Sequence, residues 1–168
     1  MQKYEFETER LEIRLIKYED KELFTNLYCD PKTMKKIASP FTEEQANKCF
    51  DKVMKMKGAG IPKQLMWVVI LKDSDEKIGI QSLTFNVDVD INVAEVGIML
   101  NRSSHGKSIP EEAVLGLLHL GFEKLNLNAI YAKCSSTNFS TLRVIRKLGF
   151  KKDTSEVSDR ESYVIKSI

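Results

Sequence analysis

Polar and apolar positions along the chain follow two periods. In Arg10–Ile16 (RLEIRLI), Leu11, Ile13 and Leu15 alternate with Glu12 and Arg14, the period-two mark of a half-buried strand. Between Asp20 and Cys29, Leu23, Phe24, Leu27 and Tyr28 recur at helical spacing. Asp30-Pro31 predicts the end of that helix, because a residue before proline is pushed out of the helical region. Thr42 and Gln45 form a capping-box pair at the start of a second helix, with Ala46, Phe50 and Val53 as its apolar stripe and Gly58 and Gly60 at its end. Three strand-like runs follow, Gln64–Leu71, Lys77–Phe85 and Asn92–Leu100. The polar Asp73-Ser74-Asp75 predicts an antiparallel hairpin between the first two, and Asn86–Asp90 is a second polar connection. From Pro110 to Leu125 the spacing is helical again. Val114, Leu117, Leu118, Gly121, Phe122 and Leu125 cover so wide a face that this helix should be largely buried, and Asn126 and Asn128 close it. Ala129–Ser135 reads as a strand, Asn138–Leu148 as a helix stopped by Gly149, and Ser162–Ile168 as a last strand. The order β-α-α-β-β-β-α-β-α-β predicts an α/β (α+β) fold, a mixed sheet with helices packed on it.

Composition narrows the partners. At 168 residues, 42% hydrophobic and 30% charged, the chain is expected to form one globular domain spanning residues 1–168. Lys and Arg number 26 against 24 Asp and Glu, a net charge of +2 that predicts neither a nucleic acid nor a membrane surface as partner. No apolar run approaches the ~18 residues of a membrane span. The opening MQKYEFETER is charged and has no apolar signal core, so a cytoplasmic location is expected. Cys29, Cys49 and Cys134 are an odd, scattered set, neither a disulfide framework nor a CxxC pair. His105 and His119 are too far apart for an HExxH zinc helix, and no metal is expected. The absence of GxxxxGK[ST], GxGxxG and GxSxG removes the usual P-loop enzymes, Rossmann dehydrogenases and serine hydrolases.

Candidate chemistry concentrates between Ala94 and Phe150. The strand AEVGIML leads through the turn NRSSHGKS into the buried helix. Ser108 suits the N-cap, Pro110 the first turn, and Glu111 stands three residues after Ser108. Gly106 would let backbone approach a ligand closely, and free N–H groups at a helix start attract anions, so the segment reads as a phosphate cradle as well as a structural turn. Further on, NFSTLRVIRKLGF sets Leu142, Ile145 and Leu148 toward the sheet and Arg143, Arg146 and Lys147 outward, an amphipathic helix in its own right.

Three segments together resemble the GNAT superfamily of acetyl-CoA-dependent N-acetyltransferases, and within it the branch of ribosomal-protein N-terminal acetyltransferases. TERLEIRLI (Thr8–Ile16) is similar to that branch's opening strand. AEVGIML with HGKSIPEEA is similar to its strand and pyrophosphate loop. NFSTLRVIRKLGF is similar to its N-x-x-S…LGF helix, with Thr141 at the serine. Three positions depart. Ser108 stands where the loop has a second glycine or alanine, and His105 where an aromatic is common. Ile145 stands where many members carry the tyrosine that protonates the leaving thiolate, so the general acid is unassigned.

The resemblance implies a mostly antiparallel sheet of six to seven strands with about four helices, splayed between the fourth and fifth strands to admit pantetheine. It implies that the backbones of Ile98, Met99 and Leu100 bond the pantetheine amides, and that amides of His105, Gly106, Lys107 and Ser108 hold the pyrophosphate. Asn138, supported by Thr141, would bond the cofactor's arm; both also suit a helix cap. The reaction implied is direct attack of a neutral primary amine, a protein N-terminus or a small molecule, on the thioester of acetyl-CoA. Glu95, in the strand beside the expected thioester, is the candidate base, with an exposed or lysine-paired glutamate as the alternative. Tyr131 and Cys134 face opposite sides of the fifth strand and read first as packing. A non-catalytic acyl-CoA-binding module is the competing reading, and a CoA-independent interaction domain a third. His119 reads as a packed helix residue, Trp67, Met54 and Met56 as core or lid, and Lys55–Lys63 as a basic loop. The first two helices and their connection shape the acceptor pocket in this superfamily. Dimers are common there, so by resemblance alone a homodimer stays open.

Overall fold

The computed structural model describes residues 4–56, 63–86, 90–155 and 159–167. Residues 57–62 of the basic segment, and with them Gly58 and Gly60, lie outside the described residues. Among the described residues eight strands form one sheet: β1 (Phe6–Glu7), β2 (Leu11–Leu15), β3 (Gln64–Leu71), β4 (Lys77–Asn86), β5 (Asp90–Leu100), β6 (Ala129–Cys134), β7 (Lys151–Asp153) and β8 (Glu161–Lys166). Their order is β1-β2-β3-β4-β5-β6-β8-β7. Every neighbouring pair is antiparallel except β5 and β6, which run parallel. Five helices accompany them: α1 (Lys21–Cys29), α2 (Pro31–Met34), α3 (Glu43–Met56), α4 (Ile109–His119) and α5 (Phe139–Lys147).

The fold class matches the expectation; the element count exceeds it. The extra strands, β1 and β7, have two and three residues, too few to show a period. The extra helix, α2, is one turn after the predicted stop. Pro31 opens it, and the Asp30 carboxylate accepts the amides of Lys32 and Thr33.

Elsewhere the local chemistry acts as read. Thr42 and Gln45 close the capping box, with the Thr42 amide 2.8 Å from Gln45 Oε1 and the Gln45 amide 3.2 Å from Thr42 Oγ1. The turn at residues 73–75 joins β3 to β4 in antiparallel register. Gly149 takes φ +83°, and Phe150 N–H bonds Ile145 C=O at 3.1 Å, which ends α5. The expected single helix to Leu125 instead widens: residues 120–124 form a π turn closed by Leu125 N–H on Leu120 C=O at 3.1 Å.

Two apolar clusters sandwich the sheet. On one face, Val114, Leu117 and Leu118 of α4 and Leu142 and Ile145 of α5 pack on Ile13, Trp67 and Ile130. On the other, Phe24 of α1, Met34 of α2 and Phe50 of α3 pack on Val68, Ile80 and Met99. Trp67, Phe24 and Phe50 are fully buried, each contributing on the order of 2–3 kcal/mol of apolar burial. Alternation along β5 therefore sends Ala94, Val96, Ile98 and Leu100 to the α4–α5 face, and Glu95, Gly97 and Met99 to the α1–α3 face. Asp20, just ahead of α1, is buried between two cations: Arg14 of β2 donates at 2.7 and 2.9 Å, and Lys77 of β4 at 2.7 Å.

Candidate active site

The parallel ladder between β5 and β6 is short. It pairs Val93, Ala94, Glu95 and Val96 with Ala129, Ile130, Tyr131 and Ala132, and ends there. Gly97–Leu100 continue beside β4, while Lys133 and Cys134 continue beside β8. This is the splay expected between the predicted fourth and fifth strands. Ile98, Met99 and Leu100 lie beyond its last rung, so their backbones border the gap on the β5 side.

β5 feeds a single 3₁₀ turn, Arg102–Ser104, and then residues 105–108 before α4 begins. Gly106 has φ +82°, and a Cβ built on it would meet nothing within 4 Å, so its outer side is open. Ser108 has φ +56°, a left-handed conformation sparsely populated by side-chain-bearing residues. It sits at the N-cap position but does not cap: no amide of the first turn bonds its hydroxyl. That hydroxyl instead accepts from Lys147 Nζ at 3.3 Å, and Glu111 pairs with the same lysine at 3.6 Å rather than closing a capping box. The left-handed backbone carries the serine side chain away from the amides it was expected to serve.

The His105 amide is spent on Arg102 C=O at 3.2 Å, and its ring Nε2 lies 3.2 Å from Leu100 C=O. The amides of Gly106, Lys107, Ser108, Ile109 and Glu111 find no acceptor among the described residues. Five unpaired donors around an open glycine, at the positive end of an eleven-residue helix, suit a phosphate-sized anion. A bound pyrophosphate fits this donor set.

Asn138 caps α5, its Oδ1 accepting the Thr141 amide at 3.3 Å; the Asn138 side-chain NH₂ and the Thr141 hydroxyl have no partner among the described residues. Ile145 is buried against the sheet, so the position of the family tyrosine holds no hydroxyl.

Glu95 stands on the last stretch of the ladder, on the α1–α3 face, between Thr84 of β4 and Tyr131 of β6. Its side chain is 42% exposed, and Oε2 lies 3.9 Å from Lys133 Nζ. Tyr131 and Cys134 point to opposite faces, as expected. Cys134 is buried in the α4–α5 cluster, where burial and then Glu161 push its thiol up, the reverse of what a nucleophile needs. His119 is exposed, not packed, because it falls on the outer side of α4 with Leu115.

Sequence reading did not single out two further groups as candidates. Tyr28 stacks on Phe24 at 4.3 Å and on Phe41 at 5.1 Å, at the junction of α1 and the segment before α3, and burial pushes its phenol up to about 12. Arg10 and Glu112, drawn from the first and second resembling segments, meet beside the turn. Their ~100-residue separation hides that contact from any local pattern, although both lie in the segments that carry the resemblance. Among the described residues no three His, Cys, Asp or Glu side chains gather as for a metal ion, and no helix is long and apolar enough to cross a membrane.

A family model, the acetyltransferase (GNAT) domain, matches residues 10–151. The chain belongs to this family and is an N-acetyltransferase. One relative, named uncharacterized N-acetyltransferase p20, of Bacillus licheniformis, is 32% identical over 149 residues, 87% of this chain and 82% of that protein. A GNAT-family acetyltransferase from Bacillus anthracis superposes with a TM-score of 0.77 at 25% identity, covering 96% of this chain and 98% of that one. The same fold is found in a ribosomal-protein-S5-alanine acetyltransferase from Vibrio fischeri (TM-score 0.76, 21% identity, 96% of each chain). It is found again in a spermidine N-acetyltransferase from Vibrio cholerae in complex with CoA and spermine (TM-score 0.78, 18% identity, 95% and 96% of the chains).

Proposed function

We propose that this enzyme moves the acetyl group of acetyl-CoA to a primary amine, on a protein N-terminus or a small molecule, by direct attack. The observation that carries this is the placement of a turn and helix start, with five amides unpaired among the described residues, at one end of the gap between β5 and β6. In this reading the amides of Gly106, Lys107 and Ser108 hold the pyrophosphate, with the His105 amide kept for the turn itself. Ile98, Met99 and Leu100 present backbone to the pantetheine arm, and Asn138 and Thr141 contribute the side-chain groups left over from capping α5. Bound there, acetyl-CoA supplies the activated acetyl group as a thioester.

The acceptor enters from the α1–α3 face, where Glu95 and Tyr131 border the mouth of the gap; Tyr28, stacked on Phe41, packs against the cluster on that same face. An amine near pKa 10 arrives charged at neutral pH. Glu95, 3.9 Å from Lys133, takes the proton directly or through water; the neutral amine attacks the thioester carbonyl, the C–S bond breaks, and CoA leaves as a thiolate that is protonated to the free thiol. The relatives of this fold named above act on a protein in one case and on spermidine in the other.

A panel of peptides and small amines incubated with acetyl-CoA, read by released thiol, tests the reading. Turnover with an amine disposes of a binding-only module. CoA binding without turnover across such a panel would favour it.

A further inference from the structure

Arg10, at the entry to β2, makes three bonds, two to Glu112 of α4 and one to the turn itself. Its backbone amide donates to Glu112 Oε1 at 2.8 Å and its Nε to Glu112 Oε2 at 2.6 Å. A third donor, the Nη1 group, bonds the Lys107 carbonyl at 3.0 Å. Glu112 is fixed in turn by Thr8, whose hydroxyl donates to Oε1 at 2.5 Å while accepting the Leu11 amide at 3.1 Å. Burial would raise the Glu112 carboxyl, but the bonds from Thr8 and Arg10 outweigh it and hold the group below its ordinary value, so it stays charged.

The consequence lies in the Lys107–Ser108 peptide. A trans peptide is planar, with its C=O and N–H on opposite sides. Turning the Lys107 carbonyl to Arg10 therefore turns the Ser108 N–H away from Arg10. That amide is one of the five unpaired donors, and it belongs to a residue held at φ +56°. A left-handed serine is strained and persists only where its surroundings over-determine it. The Arg10 guanidinium, 97 residues before Lys107 in sequence, bonds the carbonyl just before this serine, and Glu112 of α4 holds that guanidinium in place.

We infer that Arg10, braced by Glu112 and Thr8, is a positioning residue that orients the Ser108 amide toward the bound pyrophosphate. The inference rests on the reading of the turn as the CoA site. A planar guanidinium can serve a carboxylate and a carbonyl at once; a lysine ammonium at the same place lacks that fork.

The experiment compares wild type, Arg10→Gln and Arg10→Lys for affinity toward CoA and toward S-acetylpantetheine, which has no pyrophosphate. One amide–anion hydrogen bond is worth about 1.5–3 kcal/mol, or roughly 10- to 150-fold in affinity. Arg10→Gln should weaken CoA by at least about tenfold on that basis, and Arg10→Lys should do so to a lesser degree, while S-acetylpantetheine binds all three alike. Should Arg10→Gln not fold, Glu112→Gln, which keeps the acceptor but loses its charge, takes its place with the same split between ligands. Unchanged CoA affinity in a folded variant overturns the inference, and so does an equal loss for both ligands. Wild type that binds no CoA overturns the cofactor reading itself, and the inference with it.

Discussion

Glu95 is the residue on which the proposed chemistry turns, and its surroundings admit two roles that one substitution separates. Its carboxylate is 42% exposed and 3.9 Å from Lys133 on the neighbouring strand. As a strand ion pair in water it would add only about 0–1 kcal/mol to stability. As a general base it would account for roughly 100- to 10,000-fold in rate. Glu95→Gln keeps the shape, so the fold and CoA affinity should survive while turnover falls by a factor within that range. A folded variant turning over within about threefold of wild type, far short of the range for a base, would remove Glu95 from the mechanism. Its face was legible in the sequence, since period-two alternation from Ala94 to Leu100 places it opposite Val96 and Ile98. Its partner was not, because Lys133 becomes a neighbour only through the parallel pairing of β5 with β6.

Among the elements, the turn before α4 and the charged knot before α1 each permit a test. At the turn, the strand–turn–helix order was readable from residue type, but the backbone angles were not. Ser108 looked like a cap and is instead left-handed and bonded by Lys147. Gly106→Val places a branched side chain at φ +82°, into the open side where a ligand must approach. CoA affinity should fall more than thermal stability does, and a folded Gly106→Val protein with wild-type CoA affinity would refute the cradle. The knot at Asp20 is structural. Burial alone would raise its carboxyl, but hydrogen bonds from Arg14, Lys77 and the Lys17 amide bring it from 3.8 down to about 2. A depressed carboxyl stabilises the fold above its unfolded value, so this contribution is complete above about pH 4 and is lost as pH falls through 2. The shift corresponds to about 2 kcal/mol. Asp20→Asn should cost about 3 kcal/mol at neutral pH, because Arg14 is left buried without its main partner. Its stability should also change less between pH 4 and pH 2 than that of wild type. Equal acid sensitivity in urea titrations of the two proteins would show that Asp20 does not carry that transition.

Across the whole molecule, local pattern was enough for the class of fold, since six of the eight strands and four of the five helices are long enough to show a period. The site was legible only as separate pieces. The gap between β5 and β6, the Arg10–Glu112 contact and the approach of Lys147 to Ser108 all arise from pairings between distant segments. Those same pairings make ligand binding a property of the assembled fold. The unpaired amides come from the turn and the start of α4, the capping side chains from α5 and the backbone bordering the gap from β5, so an unfolded chain presents no such arrangement. A ligand that binds only the folded state stabilises it by mass action, and at 100 times its dissociation constant CoA should add about 2.7 kcal/mol. For a chain of this size that is an increase of about 5–10 °C in Tm. The increase should grow with the logarithm of CoA concentration, and pantetheine at equal concentration should produce less of it, because in the proposed reading the amides of residues 106–108 act on the pyrophosphate. A melting curve unmoved by saturating CoA or acetyl-CoA would show that the turn and the gap do not form a cofactor site. A curve moved equally by pantetheine would place the binding energy in the gap alone and leave the amides of residues 106–108 without a ligand.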